Sequence, residues 1–188
     1  MSSMPKPTTN QAQPYTYEDY LTWDGPERWE VIDGVPYMMA SPTPEHQQVV
    51  LQLGAEFAMY FRGKECRAFI APMDLCFEQS IKTHHVVQPD LFVMCGTYES
   101  DKRIIGTPEL VMEVLSPSTA THDLIRKLNL YQRMQVQEYW IIDPVEQRIH
   151  VYLHDSTILR WTAEYKPGET LSPSAFADLV INVSTIFS

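Results

Sequence analysis

Apolar residues along this chain recur with two distinct periods. From residue 44 onward Val49, Val50, Leu53, Phe57 and Phe61 return at steps of three and four, which puts them on one helical face. Thr43 can cap that helix, Pro44 suits its first turn and Gly63 ends it. A shorter helix is predicted over 15–23, with Thr16 as N-cap and acids in its first turn. Between the two, residues 28–40 hold two alternating runs around Asp33-Gly34, the dipeptide that most strongly signals a hairpin.

Three strand candidates follow at 67–78, 86–95 and 109–115, separated by polar linkers at 79–85 and 96–108. Residues 121–134 read as a helix with an apolar stripe of Leu124, Leu128, Tyr131 and Met134. Strands are expected at 138–143 and 148–154, joined by a turn around Pro144. Residues 157–165 continue that hairpin, and alternation at 179–183 predicts a short strand. The central order is helix, strand, strand, strand, helix, strand. It defines an α/β fold with a mixed β-sheet flanked by helices, extended by N-terminal and C-terminal hairpins. Polar residues 1–14 read as a disordered tail and 15–188 as a single domain.

Two acids interrupt the apolar pattern. Period two puts Glu113 between Val111 and Leu115 on one face of a strand whose other face is Leu110, Met112 and Val114. Asp90 shares its face with Gln88, Phe92 and Met94, and Pro89 places it at a strand start or a bulge. On the following helix Lys127 lies three residues after Leu124 and four before Tyr131, at the border of the apolar stripe. Burying ionised groups costs several kcal/mol each unless they are paired or bind a metal. Two acids and a lysine in such surroundings suit phosphodiester cleavage. The acids can hold a divalent cation such as Mg²⁺ or Mn²⁺, and a lysine can stabilise developing negative charge. A plainer arrangement uses the same residues: Lys127 pairs with Asp123 one turn away, and Glu113 anchors a buried network.

Composition narrows the setting. Apolar residues make up 44% and charged residues 20%, ordinary for a soluble globular domain. No apolar run approaches the roughly 20 residues that span a bilayer, and the N-terminus lacks a secretory pattern. A cytoplasmic protein with no membrane partner is expected. Cys66, Cys76 and Cys95 are odd in number and form no CxxC pair, so reduced, half-buried thiols are expected rather than a disulfide framework or a cysteine zinc site. The net charge of −10 argues against a broad basic footprint, so DNA contacts should be weak or local.

Pro89-Asp90, Glu113, the run SPST at 116–119, Lys127, Tyr131 and Glu138-Tyr139-Trp140 together resemble the PD-(D/E)xK nuclease superfamily. More closely they resemble its Uma-two-type branch of bacterial restriction-endonuclease-like proteins, over roughly residues 15–155. The resemblance implies a restriction-endonuclease-like core of order αβββαβ and a Mg²⁺-dependent endonuclease acting on DNA. It implies that Asp90 and Glu113 hold Mg²⁺ or Mn²⁺ with the main-chain carbonyl of Val114. The superfamily pattern expects lysine two residues after the glutamate, where this chain has Leu115. The resemblance to the branch implies that Lys127 replaces it from the next helix.

Further candidates surround these residues. His46, at the start of the long helix, can reach the site or bond locally. Asp74 is a possible third ligand or a structural hydrogen-bond acceptor. Tyr131 supports the site. An interaction module that keeps the fold without catalysis, and a metal-dependent hydrolase of nucleotides, are the alternative functions. Exposed strand edges and aromatic late strands suit a homodimer.

Overall fold

The computed structural model of the protein describes residues 6–7, 13–96, 99–100, 103–116 and 120–188. Among these, in chain order, lie α1 (Tyr17–Tyr20), β1 (Trp29–Ile32), β2 (Val35–Met38), α2 (Pro44–Tyr60), β3 (Arg67–Ile70) and β4 (Asp74–Cys76). Next come β5 (Leu91–Met94), β6 (Glu99–Ser100), β7 (Arg103–Ile105), β8 (Leu110–Val114) and α3 (Ala120–Arg133). The chain ends with β9 (Glu138–Asp143), β10 (Arg148–His154), β11 (Leu159–Tyr165), β12 (Thr170–Leu171), β13 (Ile181–Asn182) and α4 (Val183–Ile186). Most of the expected N-terminal tail, and Pro117, Ser118 and Thr119 of the 116–119 run, lie outside the described residues.

The chain divides into two compact units. One comprises Met1–Ser41, Met73–Gln88 and Glu99–Gly106; the other comprises Pro42–Pro72, Pro89–Tyr98 and Thr107–Ser188. Pro42, Pro72 and Pro89 stand at three of the crossings. Proline cannot donate to a ladder, so Pro72 and Pro89 each end one set of strand pairings before the next begins, while Pro42 precedes α2.

In the first unit α1 starts with a full capping box, in which Thr16 and Asp19 each bond the other's backbone N–H. The hairpin β1–β2 turns at Asp33 (φ 54°) and Gly34 (φ 72°), the paired positive φ values of a type I′ turn. Strand β4 pairs parallel with β7, which pairs antiparallel with β6. Tyr15, Tyr17, Val31, Cys76 and Val86 form one small core cluster of this unit.

The second unit is built on a six-stranded sheet of order β11-β10-β9-β8-β5-β3. Strands β8 and β9 are parallel and the other neighbours antiparallel, which is the expected mixed sheet. Leu110, Met112 and Val114 of β8, with Leu91, Val93, Trp140, Ile142, Ile149 and Val151, bury one face. The apolar stripe of α2 and the C-terminal segment from Leu171 to Ile186 cover that face. Val111 and Glu113 therefore point to the opposite face, where α3 contributes Tyr131 against Tyr139 of β9.

Three expectations change. The strands expected at 67–78 and 86–95 are each broken near a proline: β3 and β5 join the large sheet, while β4 and the Val86 and Val87 bridges belong to the other unit. The linker expected at 96–108 contains β6 and β7. Its Arg103 disguised a buried strand residue, since the guanidinium stacks 4.4 Å above the Tyr17 ring and donates to the Gln79 carbonyl.

The cysteine expectation is overturned for one pair: Cys66 and Cys95 form a disulfide with Cα atoms 4.0 Å apart, and Cys76 is buried and free. The β3–β5 ladder pairs Arg67 with Met94, so its next position sets Cys66 directly opposite Cys95. That contact depends on strand register across a sequence separation of 29, which no local cysteine spacing reveals. Changing both cysteines to serine is expected to lower stability by roughly 3–4 kcal/mol, because the unfolded chain regains the conformational entropy that a closed loop of this size removes. Urea unfolding of the oxidised protein beside the double variant measures it; equal midpoints would refute the stabilising role.

Candidate active site

Asp90 and Glu113 meet where the β5–β8 ladder ends. That ladder pairs Leu91 with Met112, and the next position along it belongs to Asp90 and Glu113. Ladder hydrogen bonds stop there, so the carboxylate of Asp90 turns to the β8 main chain. Its Oδ2 accepts the Val114 N–H at 2.8 Å. The same oxygen lies 3.1 Å from Nε2 of His46. Neither contact uses Oδ1, which takes no hydrogen bond among the described residues.

His46 reaches Asp90 from the first turn of α2. Thr43 caps that turn by accepting the His46 N–H at 3.2 Å, and Pro44 occupies its first position. The expected capping residues thus fix the histidine's backbone. Its imidazole is buried, and Nδ1 has no hydrogen-bond partner among the described residues.

Glu113 is only 6% exposed and Lys127 4%. The lysine Nζ lies 3.0 Å from each carboxylate oxygen, and the Tyr131 hydroxyl donates to Oε1 at 2.6 Å. Lys127 and Tyr131 are four residues apart on α3, so one helical face delivers both. Asp123, the alternative partner for Lys127, has a side chain outside the described residues. Leu115 occupies the position two residues after Glu113, and the ammonium comes from α3. Removing the hydroxyl as Tyr131→Phe is expected to cost about 2 kcal/mol, typical of a hydrogen bond to a charged acceptor. Thermal unfolding checks this; an unchanged Tm would show that the bond contributes nothing net.

The β8 main chain supplies a further oxygen. Leu115 N–H donates to the Ile142 carbonyl on the β9 side. Alternate residues of a strand direct their in-plane groups to opposite sides. Val114, whose N–H reaches Asp90, therefore directs its carbonyl away from β9 and toward the Asp90 side. The use of the Val114 N–H to hold Asp90 was not legible in sequence, because main-chain groups carry no residue signature.

Asp74 belongs to the other unit. Its Oδ1 accepts from Gln88 Nε2 at 2.8 Å and from the Tyr20 hydroxyl at 3.1 Å. Burial pushes its carboxyl above the usual carboxylate range, and these hydrogen bonds pull it back. Gln88 in turn accepts from Arg28 at 2.9 Å and 2.7 Å and donates its backbone N–H to Glu30. Asp74 thus has the hydrogen-bonded surroundings of the structural reading. His84 and His85 face separate partners, the Tyr15 carbonyl and the Asp33 N–H.

The sequence matches, over residues 17–184, the family described as "Uma2: Putative restriction endonuclease". The chain belongs to the Uma2 family. Two uncharacterized proteins of Synechocystis sp. are similar to it. One is 31% identical, with 72% of each chain aligned, and the other 25% identical over 67% of this chain and 72% of the relative. The fold is similar to the crystal structure of a "putative nuclease belonging to DUF820" from Anabaena variabilis. The TM-score is 0.75 and the identity 21%, covering 93% of this chain and 98% of that one. This confirms the restriction-endonuclease-like fold of the Uma2 chain.

The donor set suits a hard divalent cation. Mg²⁺ and Mn²⁺ take oxygen ligands, usually one or two carboxylates completed by water and substrate. Asp90 Oδ1 is uncommitted, the Val114 carbonyl is turned to the same side, and Glu113 follows in the same ladder. Among the described residues no cluster of three or more His, Cys, Asp or Glu side chains is gathered for a metal. Among those residues no helix is long and apolar enough to cross a membrane.

Proposed function

We propose that this Uma2 protein is a Mg²⁺- or Mn²⁺-dependent endonuclease that hydrolyses DNA phosphodiester bonds at Asp90, Glu113, Val114 and Lys127. The observation that carries the reading is the Lys127 ammonium 3.0 Å from both oxygens of Glu113, supplied by α3 where the strand itself offers Leu115. A lysine buried to this extent needs a compensating partner, and placing it beside a ligand carboxylate at a ladder end suits phosphoryl chemistry.

Asp90 and Glu113 would hold the cation, with the Val114 carbonyl as a further ligand. A cation bound there supplies Lewis acidity at the phosphate. Lys127 brings positive charge to the place where negative charge grows on the phosphoryl oxygens. Tyr131 keeps Glu113 oriented by its 2.6 Å hydrogen bond. Burial of Glu113 and Lys127 strengthens each of these electrostatic contacts by lowering the local dielectric.

DNA is the substrate in this reading, gripped locally, because a net charge of −10 offers no broad counterion-releasing surface. A homodimer would bring one site to each strand of a duplex. Incubation of plasmid DNA with the purified protein and Mg²⁺ or Mn²⁺ tests the proposal. Wild type should nick or linearise the plasmid in a chelator-sensitive way, and Asp90→Asn should not. No cleavage by wild type across both metals, or equal cleavage by the variant, would sink it. The first outcome would favour a non-catalytic interaction module, which the acidic surface also suits.

A further inference from the structure

We infer that His46 is a positioning residue for the metal site, acting through Asp90 and not as a ligand itself. The inference rests on the cation-binding reading of Asp90 above and adds what decides which of its oxygens faces the ion.

A carboxylate has two equivalent oxygens and can turn about its last bond. In this site the two are made different. Oδ2 receives two donors from separate elements, the Val114 N–H of β8 at 2.8 Å and His46 Nε2 of α2 at 3.1 Å. Oδ1 receives none among the described residues. An ionised carboxylate only accepts, so the histidine nitrogen facing it carries the proton. The other ring nitrogen, Nδ1, is buried without a partner among the described residues, which an unprotonated nitrogen tolerates better than an N–H would. The imidazole therefore spends its one donor on Oδ2.

The main-chain donor alone would still let the carboxylate swing about that single bond. A second donor from another direction removes this freedom and leaves Oδ1 as the oxygen presented outward. The capped first turn of α2 holds the imidazole in place, because Thr43 accepts the His46 N–H. The Nδ1 lone pair leaves the ring in a direction divergent from Nε2, so ligation of a cation held on Oδ1 would require the ring to give up Asp90 and offer Nε2 as a lone pair. Outer partners of this kind tune metal affinity by orienting a ligand.

Mn²⁺ titration calorimetry on wild type, His46→Gln, His46→Leu and Asp90→Asn tests the inference, with a thermal melt of each. Glutamine carries an N–H donor to about the position of Nε2, whereas leucine fills the space without one. His46→Leu should bind Mn²⁺ roughly 10–100-fold more weakly than wild type. His46→Gln should recover most of that loss, while both melt close to wild type. Electron spin echo spectra of Mn²⁺-loaded wild type should show no directly bound imidazole nitrogen.

Equal affinity in wild type and His46→Leu would overturn the positioning role while leaving the metal site intact. A strong imidazole nitrogen coupling would overturn it in favour of ligation. Failure of wild type to bind Mn²⁺ better than Asp90→Asn would overturn both this inference and the cation reading beneath it. Should His46→Leu not fold, the glutamine variant and the spin-echo spectrum still decide.

Discussion

Asp90→Asn is expected to retain the wild-type fold and lose metal-dependent cleavage of plasmid DNA, with Mn²⁺ binding lost in parallel. The geometry makes asparagine a sharp probe. Two N–H donors converge on one oxygen of Asp90, from His46 and from Val114. Asparagine has a single oxygen, and those donors will claim it. Its NH₂ group then stands where Oδ1 stood, presenting hydrogens where a cation needs lone pairs. The loss should exceed the roughly 10–100-fold typical when only an outer partner of a metal ligand is removed. Cleavage assays with Mg²⁺ and Mn²⁺, calorimetry and a thermal melt on the same preparation check it. A variant that melts as wild type and still binds Mn²⁺ and cuts would place the reaction at other residues.

Lys127→Met should produce the largest loss of stability among substitutions at the site, about 3–5 kcal/mol, the usual cost of breaking a buried ion pair from one side. Methionine matches the length of the lysine stem and fills its space, so the cost comes from charge and not from a cavity. Glu113 would keep the Tyr131 hydroxyl but lose the ammonium 3.0 Å from its oxygens, with only 6% of its surface exposed. For a chain of this size the same loss corresponds to a Tm lower by roughly 10 °C. The double variant Lys127→Met with Glu113→Gln removes both charges and should be more stable than Lys127→Met alone. Urea unfolding of the four proteins forms the cycle. If the double variant is no more stable than Lys127→Met, the pair is not coupled as its distances indicate.

The two results would bear on different properties. Asp90 tests the outward-facing oxygen and so the chemistry. Lys127 tests a buried pair that serves the fold first and chemistry second. A protein that has lost catalysis could still keep Lys127 for stability, so Lys127→Met alone cannot separate an enzyme from an interaction module. Asp90→Asn can, because the predicted fold cost is small.

Much of the architecture was legible in local patterns. The stripe from Val49 to Phe61 with Thr43 and Pro44 in front defines α2, because helical period and capping are short-range properties. Asp33-Gly34 marked the β1–β2 turn because few other dipeptides accept two positive φ values. Glu113 stood out as an acid on a strand apolar on both faces, and its burial bears that out. Pro89 marked a strand start, and β5 begins two residues later at Leu91. The break at Pro72 was not legible in the same way, because only the strands' partners reveal that β3 and β4 serve different sheets.

The sequence by itself determined the helices α2 and α3, the first hairpin, the mixed sheet and the candidate trio of Asp90, Glu113 and Lys127. Each follows from a period, a cap, a turn dipeptide or a charge out of place, all set within a few residues. Only the tertiary structure decided that Cys66 faces Cys95, that Asp74 lies in a hydrogen-bonded network of the other unit, and that Oδ2 of Asp90 is held from two sides. Those outcomes depend on strand register and on contacts between distant segments. A residue's pattern can say that it must be buried, but the chain's long-range pairing decides which atom it meets there.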